Sequence, residues 1–166
     1  MPNYHLAQLN IGRIRASLDS AQLAGFVARL ADINALADAA SGFVWRFQTE
    51  AGDATALRPY DDDRMLVNFS VWETPEALHQ FVYRTAHVEV MRQRREWFET
   101  MQEAYLVLWW VPEGHRPTVE EAIARLETLR AQGPSPAAFT FRDLFPPPDS
   151  EPTRAREQWN EECPAT

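Results

Sequence analysis

Met65-Leu66-Val67-Asn68-Phe69-Ser70-Val71-Trp72, followed at once by Glu73-Thr74-Pro75-Glu76-Ala77-Leu78, is the stretch on which the fold turns. Its first eight residues alternate: Leu66, Asn68, Ser70 and Trp72 share one face, and Met65, Val67, Phe69 and Val71 share the other, the period of a β-strand. Thr74 then offers a helix cap and Pro75 takes the first helical position, where a missing N–H goes unmissed. A strand with apolar residues on both faces, broken on one by Asn68 and Ser70, that runs straight into a capped helix reads as a central strand of a layered fold.

Working outward, the helix from Thr74 carries two apolar stripes on roughly opposite sides. Ala77, Leu78, Phe81 and Val82 form one, and Val90, Met91, Trp97, Phe98 and Met101 the other. One straight helix cannot bury both against a single sheet, so the pattern predicts a break near Arg84-Thr85. A second helix, capped by Thr85, then runs to about Glu103 with His87 in its first turn. Upstream, residues 4–11 read as a first strand closed by Gly12, with Gln8 and Asn10 on one face. Residues 17–40 read as a helix capped by Asp19 or Ser20, with Leu23, Phe26, Val27, Leu30, Ile33, Leu36 and Ala37 at helical spacing. Residues 43–49 read as a second strand in which Phe43, Trp45 and Phe47 alternate with Val44, Arg46 and Gln48. A polar connection fills 50–64. Downstream, residues 104–111 are dense in strand formers, Thr118 caps a last helix over 119–131, and Gly133-Pro134 ends it. Phe139-Thr140-Phe141 is a further short extended piece.

The order β-α-β-β-α-β, with the second helix broken and a C-terminal helix added, is that of a ferredoxin-like unit. Residues 1–145 are expected to form that one domain, including the helix at 118–132, with 146–166 as a mobile acidic, proline-rich tail. A ferredoxin-like sheet carries helices on one face, so its other face needs a partner, and a homodimer is the simplest.

Composition removes many chemistries. The chain has 166 residues, of which 45% are hydrophobic and 11% aromatic, enough for a substantial core. All 16 basic residues are arginine, so Schiff-base chemistry and a phosphate-loop lysine are excluded. Against 24 acidic residues the net charge is −8, which argues against a nucleic-acid partner. Arg92, Arg94 and Arg95 are also offered partners by Glu89, Glu96 and Glu99 on the same helix. The single cysteine, Cys163, excludes an internal disulfide and any cysteine-based zinc site, and no regular histidine and carboxylate spacing marks a metal centre. Asp61-Asp62-Asp63 is a charge run of the kind that is usually solvated. No apolar run is long enough for a membrane span and no secretory signal is visible, so a cytoplasmic location is expected.

Two polar features resist a core reading. Asn68 and Ser70 sit in mid-strand, and Arg94 lies within an apolar helical stripe with His87, Met91, Phe98 and Met101. A guanidinium there must be paired, face a partner chain, or line a cavity. At the positive end of a helix dipole His87 is favoured as neutral imidazole, suited to a base or ligand, although a lone histidine on an apolar face is more often a hydrogen-bonded core residue. His115 stands in a turn that could close over a site. Trp45, Trp72, Trp97, Trp109 and Trp110 read as core or dimer-face residues that could also wall a flat aromatic ligand or a porphyrin.

The run Val71-Trp72-Glu73-Thr74-Pro75-Glu76-Ala77-Leu78, with His87 fifteen residues after Trp72, resembles the strand-to-helix signature of the dimeric α/β-barrel superfamily, which includes antibiotic-biosynthesis and haem-degrading monooxygenases. Together with Arg92 to Phe98, Trp109-Trp110-Val111, Gly114-His115-Arg116-Pro117-Thr118, Gly133-Pro134 and Ala138-Phe139, it is similar to the uncharacterised branch called domain of unknown function 3291. The resemblance implies a dimeric α/β barrel and a pocket between sheet and helices that uses Trp72, Asn10 or Asn68, and, where haem binds, His87. The interval from Trp72 to His87 is shorter than in the haem degraders.

The expected function is therefore that of a small-molecule enzyme, monooxygenase-like, acting on an apolar or aromatic substrate, cofactor-free or haem-assisted. The expected catalytic residues are His87, Arg94, Asn68 and Trp72. Asn10, Trp45, Trp97, Trp110 and His115 are the expected substrate contacts. The alternative is a non-catalytic dimeric ligand-binding or scaffold domain. What separates the two is whether Asn68, His87 and Arg94 converge on one cavity.

Overall fold

A computed structural model describes residues 3–48, 64–84, 92–148 and 150. His87, Asp61-Asp62-Asp63 and nearly all of the expected tail lie outside the described residues. Four strands form one antiparallel sheet: β1 (Tyr4–Arg13), β2 (Phe43–Arg46), β3 (Met65–Trp72) and β4 (Leu106–Pro112), in the order β2-β3-β1-β4. The α-helices are α1 (Ala24–Ala39), α2 (Pro75–Arg84), α3 (Arg94–Trp97) and α4 (Val119–Gln132), and a 3-10 turn at Ala21–Leu23 leads into α1. The fold is α+β, and among the described residues no helix is long and apolar enough to cross a membrane.

The register explains the two faces. In β1 and β3, Leu6 faces Trp72, Gln8 faces Ser70, Asn10 faces Asn68 and Gly12 faces Leu66, so these eight residues share one side of the sheet. On the other side Ala7, Leu9, Ile11, Val67, Phe69, Val71, Val107, Trp109 and Val111 are buried together with Ala122, Leu126 and Leu129 of α4. The sheet face expected to need a partner chain is thus covered, over β1 and β4, by the chain's own last helix. That helix starts where expected: the Thr118 hydroxyl accepts from the Glu121 amide at 3.1 Å, and Gly133 ends it at φ 74°.

Three local expectations are corrected. The helix expected over 17–40 begins at Ala24, and its cap does not form: the Ser20 hydroxyl donates to the Ser17 carbonyl at 2.6 Å instead. Its apolar stripe is not uniformly buried, since Leu23 and Ala37 are covered while Val27 and Leu36 stay 43% and 39% exposed. The helix rests on two separate apolar clusters, Leu23 and Phe26 at one end and Ile33 and Ala37 at the other. The second strand is shorter than expected and its register shifts between Phe43 and Trp45, which leaves Phe43 opposite Trp72, Trp45 opposite Val71 and Arg46 opposite Ser70. A bulge thereby turns Trp45 to the α4 side and Arg46 to the opposite side. Finally, α2 is described as far as Arg84, and the predicted break near Arg84-Thr85 and the start of the second helix lie outside the described residues; the helix expected to reach Glu103 gives way after Trp97, the last residue of α3. Its backbone is diverted into pairing with the end of β1, the Arg15 amide donating to the Trp97 carbonyl and the Glu99 amide to that of Arg13, both at 2.8 Å.

Candidate functional site

The face of the sheet under α1 and α2 is apolar at both ends and polar between them. Leu6, Trp72 and Leu108 close one end with Leu78, Phe81, Phe139 and Phe141, while Leu66 closes the other with Ile14, Leu23 and Trp97. The two rungs between, Gln8 with Ser70 and Asn10 with Asn68, carry amides and a hydroxyl. Since α1 is anchored only at its ends, a cleft with a free volume of about 80 Å³ is left beneath its middle. Gln8, Asn10, Asn68, Ser70 and Trp72 floor it, and Arg46 and Arg94 also line it.

The floor is a connected network. Gln8 Nε2 donates to Ser70 Oγ at 2.8 Å, and the indole Nε1 of Trp72 donates to the same oxygen at 2.9 Å. A longer contact of 3.5 Å runs from Gln8 Nε2 to Asn68 Oδ1. Gln8 and Ser70 are buried, Asn10 is half-buried, and Asn68 is exposed. Trp72 is fixed by stacking on Phe81, with centroids 5.2 Å apart, and by the edge of Phe43 at 5.4 Å. Its N–H is directed at Ser70, so it positions that hydroxyl.

The two guanidinium groups are held differently. Arg46 forks onto Asp38, with Nε 2.8 Å from Oδ1 and Nη2 3.2 Å from Oδ2. Arg94 lies between aromatic rings, 4.9 Å from the Phe98 centroid and 5.2 Å from that of Tyr105. These cation–π contacts help seat the guanidinium among apolar side chains.

Of the site residues expected from sequence, the cleft gathers Asn10, Asn68, Trp72 and Arg94. Four others lie away from it. Trp45 is turned by the bulge to the opposite face, where it packs on Phe47 and Phe69. Trp97 is 4% exposed against Phe26, in the apolar cluster beside the cleft. Trp110 donates its indole N–H to the Phe145 carbonyl at 2.8 Å and tilts against Phe139. His115, in the turn after β4, lies 2.7 Å from a Glu121 oxygen and is tied to the start of α4. Conversely, Gln8, Arg46, Tyr83, Tyr105 and Phe141 line the cleft without having been singled out as contacts. The alternation of β1 and β3 carried the signal for Gln8 and Ser70, but only the pairing register brings them together.

The described residues of the cleft do not fit a haem: none of its lining side chains is a histidine, and the free volume is far below the roughly 300–1,000 Å³ of a typical ligand pocket. Among the described residues no group of three or more His, Cys, Asp or Glu side chains could hold a metal ion.

Residues 5–156 match the model of the family described as domain of unknown function (DUF3291), and the chain belongs to that family. No curated protein matches it in sequence. Solved structures of similar chain course include SnoaB, described as a cofactor-independent oxygenase from Streptomyces nogalater. Two structures of it are 17% and 18% identical, each covering 70% of this chain and 98% of the other with a TM-score of 0.44. A third is NE2512, a protein of unknown function from Nitrosomonas europaea, at 12% identity, 71% and 97% coverage and a TM-score of 0.44.

Proposed function

We propose that this chain is a monooxygenase-like oxidoreductase that binds a small aromatic molecule in the cleft between sheet and helices and oxidises it without a resident cofactor. The observation that carries this reading is the lining of the cleft: the amides of Gln8, Asn10 and Asn68, the Ser70 hydroxyl and Arg94 share it with the aromatic side chains of Phe43, Trp72, Phe81 and Phe141. Such a mix of flat apolar walls and a few convergent polar groups orients an aromatic ring by one polar edge. The reaction type follows from the resemblance of the Val71 to Leu78 stretch to the antibiotic-biosynthesis monooxygenases. A substrate with an acidic methylene can supply all the electrons itself. Both C–H bonds of the methylene break, one atom of dioxygen becomes the carbonyl oxygen on that carbon, and the other leaves with the two hydrogens as water. In this scheme Arg94 stabilises the substrate enolate and the reduced oxygen species. Asn68 and Asn10 hold a substrate oxygen. The described residues of the cleft include no histidine or carboxylate lining it, so the proton passes to solvent or to His87, whose part as shuttle belongs to this proposal.

The protein is further proposed to act in the cytoplasm as a homodimer of two ferredoxin-like units, built on residues 1–145. An oxygen electrode tests the chemistry on a panel of aryl ketones and diketones with acidic methylenes. Oxygen uptake matched by ketone formation is expected, falling at least tenfold in Arg94→Met and in Asn68→Leu. Uptake no faster than without protein, while the same compounds bind, would leave a ligand-binding domain instead.

A further inference from the structure

We propose that Ser70 is the specificity-determining residue of the cleft: its hydroxyl acts as an obligate hydrogen-bond donor, so that the cleft selects a single aromatic ring bearing an acceptor oxygen. This rests on the cleft being the small-molecule site, and adds what kind of molecule that site accepts.

A serine hydroxyl has one hydrogen and two lone pairs. Both lone pairs of Ser70 are used, by Gln8 Nε2 at 2.8 Å and Trp72 Nε1 at 2.9 Å. An indole N–H can only donate, so the bond from Trp72 cannot run the other way. The remaining tetrahedral direction belongs to the hydrogen, which among the described residues has no acceptor. Ser70 is 6% exposed and Gln8 7%, and both line the cleft. A donor so buried is satisfied either by water or by an acceptor on the ligand. A ligand that sets a donor rather than an acceptor against Ser70 leaves the hydroxyl hydrogen unmet and is disfavoured.

Size narrows the class further. A bound water needs roughly 10–15 Å³ of such volume, so about 80 Å³ takes roughly half a dozen heavy atoms, the extent of one ring. The aromatic partners of Trp72, Phe43 and Phe81, favour a flat ring. The occupant is thus one aryl ring with a carbonyl oxygen directed at Ser70, any larger remainder projecting from the mouth.

The test compares acetophenone with α-methylstyrene, in which a methylene group replaces the carbonyl oxygen in the same flat frame. Dissociation constants come from ligand-detected NMR. Wild type is expected to prefer acetophenone by roughly tenfold or more, the worth of one hydrogen bond and of the donor left unmet. Ser70→Ala removes the donor and should abolish the preference with styrene binding unchanged. Gln8→Glu keeps the hydroxyl and the shape but draws its hydrogen onto the new carboxylate, and should abolish the preference too. A preference that survives in both folded variants, or is missing in wild type, overturns the role of Ser70. If neither compound binds, the cleft is not the site and both readings fall. If the preference appears but the aryl ketones and diketones with acidic methylenes bind without oxygen uptake, the proposed oxidation fails while the selection by Ser70 stands.

Discussion

Gly12 shows how one residue can hold the cleft open to its cation. A Cβ at this position would lie 2.6 and 2.8 Å from two ring carbons of Phe98 and 3.3 Å from Nη2 of Arg94. The ring cannot yield as the end of a flexible chain would, because Phe98 is also packed edge-on against Phe26 at 5.2 Å. Gly12→Ala should therefore cost about 1–3 kcal/mol in a urea titration. It should also displace Arg94 and weaken any anionic ligand, whereas an unchanged midpoint would mean that Phe98 moves freely. Arg94 itself was legible as exceptional because a guanidinium in an apolar stripe demands an explanation. The roles of the tryptophans were less legible. Each is large and half apolar, and which of them meets a cavity depends on facing elements that sequence spacing does not encode. Trp97 and Trp110 fill apolar clusters, and Trp72 alone of the four expected tryptophans reaches the cleft.

Elements bounded by strong local signals were read closely, and those bounded by tertiary pairing were not. The span of β3, the start of α2 and the start of α4 follow from alternation and from threonine caps. Thr74 and Thr118 each accept an amide three residues on, both at 3.1 Å. The bulge in β2 and the end of α3 at Trp97 are instead imposed by neighbours, the edge of β3 and the end of β1. That distinction has a measurable side. Thr118 holds a helix whose Ala122, Leu126 and Leu129 cover the sheet, so Thr118→Ala should lower stability by about 1 kcal/mol. In a protein of this length that is a fall of roughly 2–4 °C in the thermal midpoint. A calorimetric scan with no shift would show that burial alone fixes this helix end.

At the scale of the whole molecule, the cover provided by α4 is incomplete, and this bears on the proposed homodimer. The helix packs on β4 and β1, the half of the sheet that carries Val107, Trp109, Leu9 and Ile11. On the β2 and β3 half, Phe69 is covered by Trp45 at 5.8 Å and by Phe47 at 4.7 Å, and these two rings are themselves only half-buried. A second copy meeting this chain would therefore do so through the aromatic half rather than across the full sheet, since α4 already occupies the rest. Trp45 is then the central anchor of a small contact, and replacing such a tryptophan commonly costs about 2 kcal/mol or more of binding. Sedimentation equilibrium should find wild type dimeric in the micromolar range and Trp45→Glu with a dissociation constant raised about thirtyfold. The circular dichroism of the variant should stay unchanged, because the indole packs against the sheet from outside and α4 keeps the core closed. A wild-type protein that is monomeric at such concentrations would mean that one copy of α4 is cover enough, and the cleft would then have to work within a single chain.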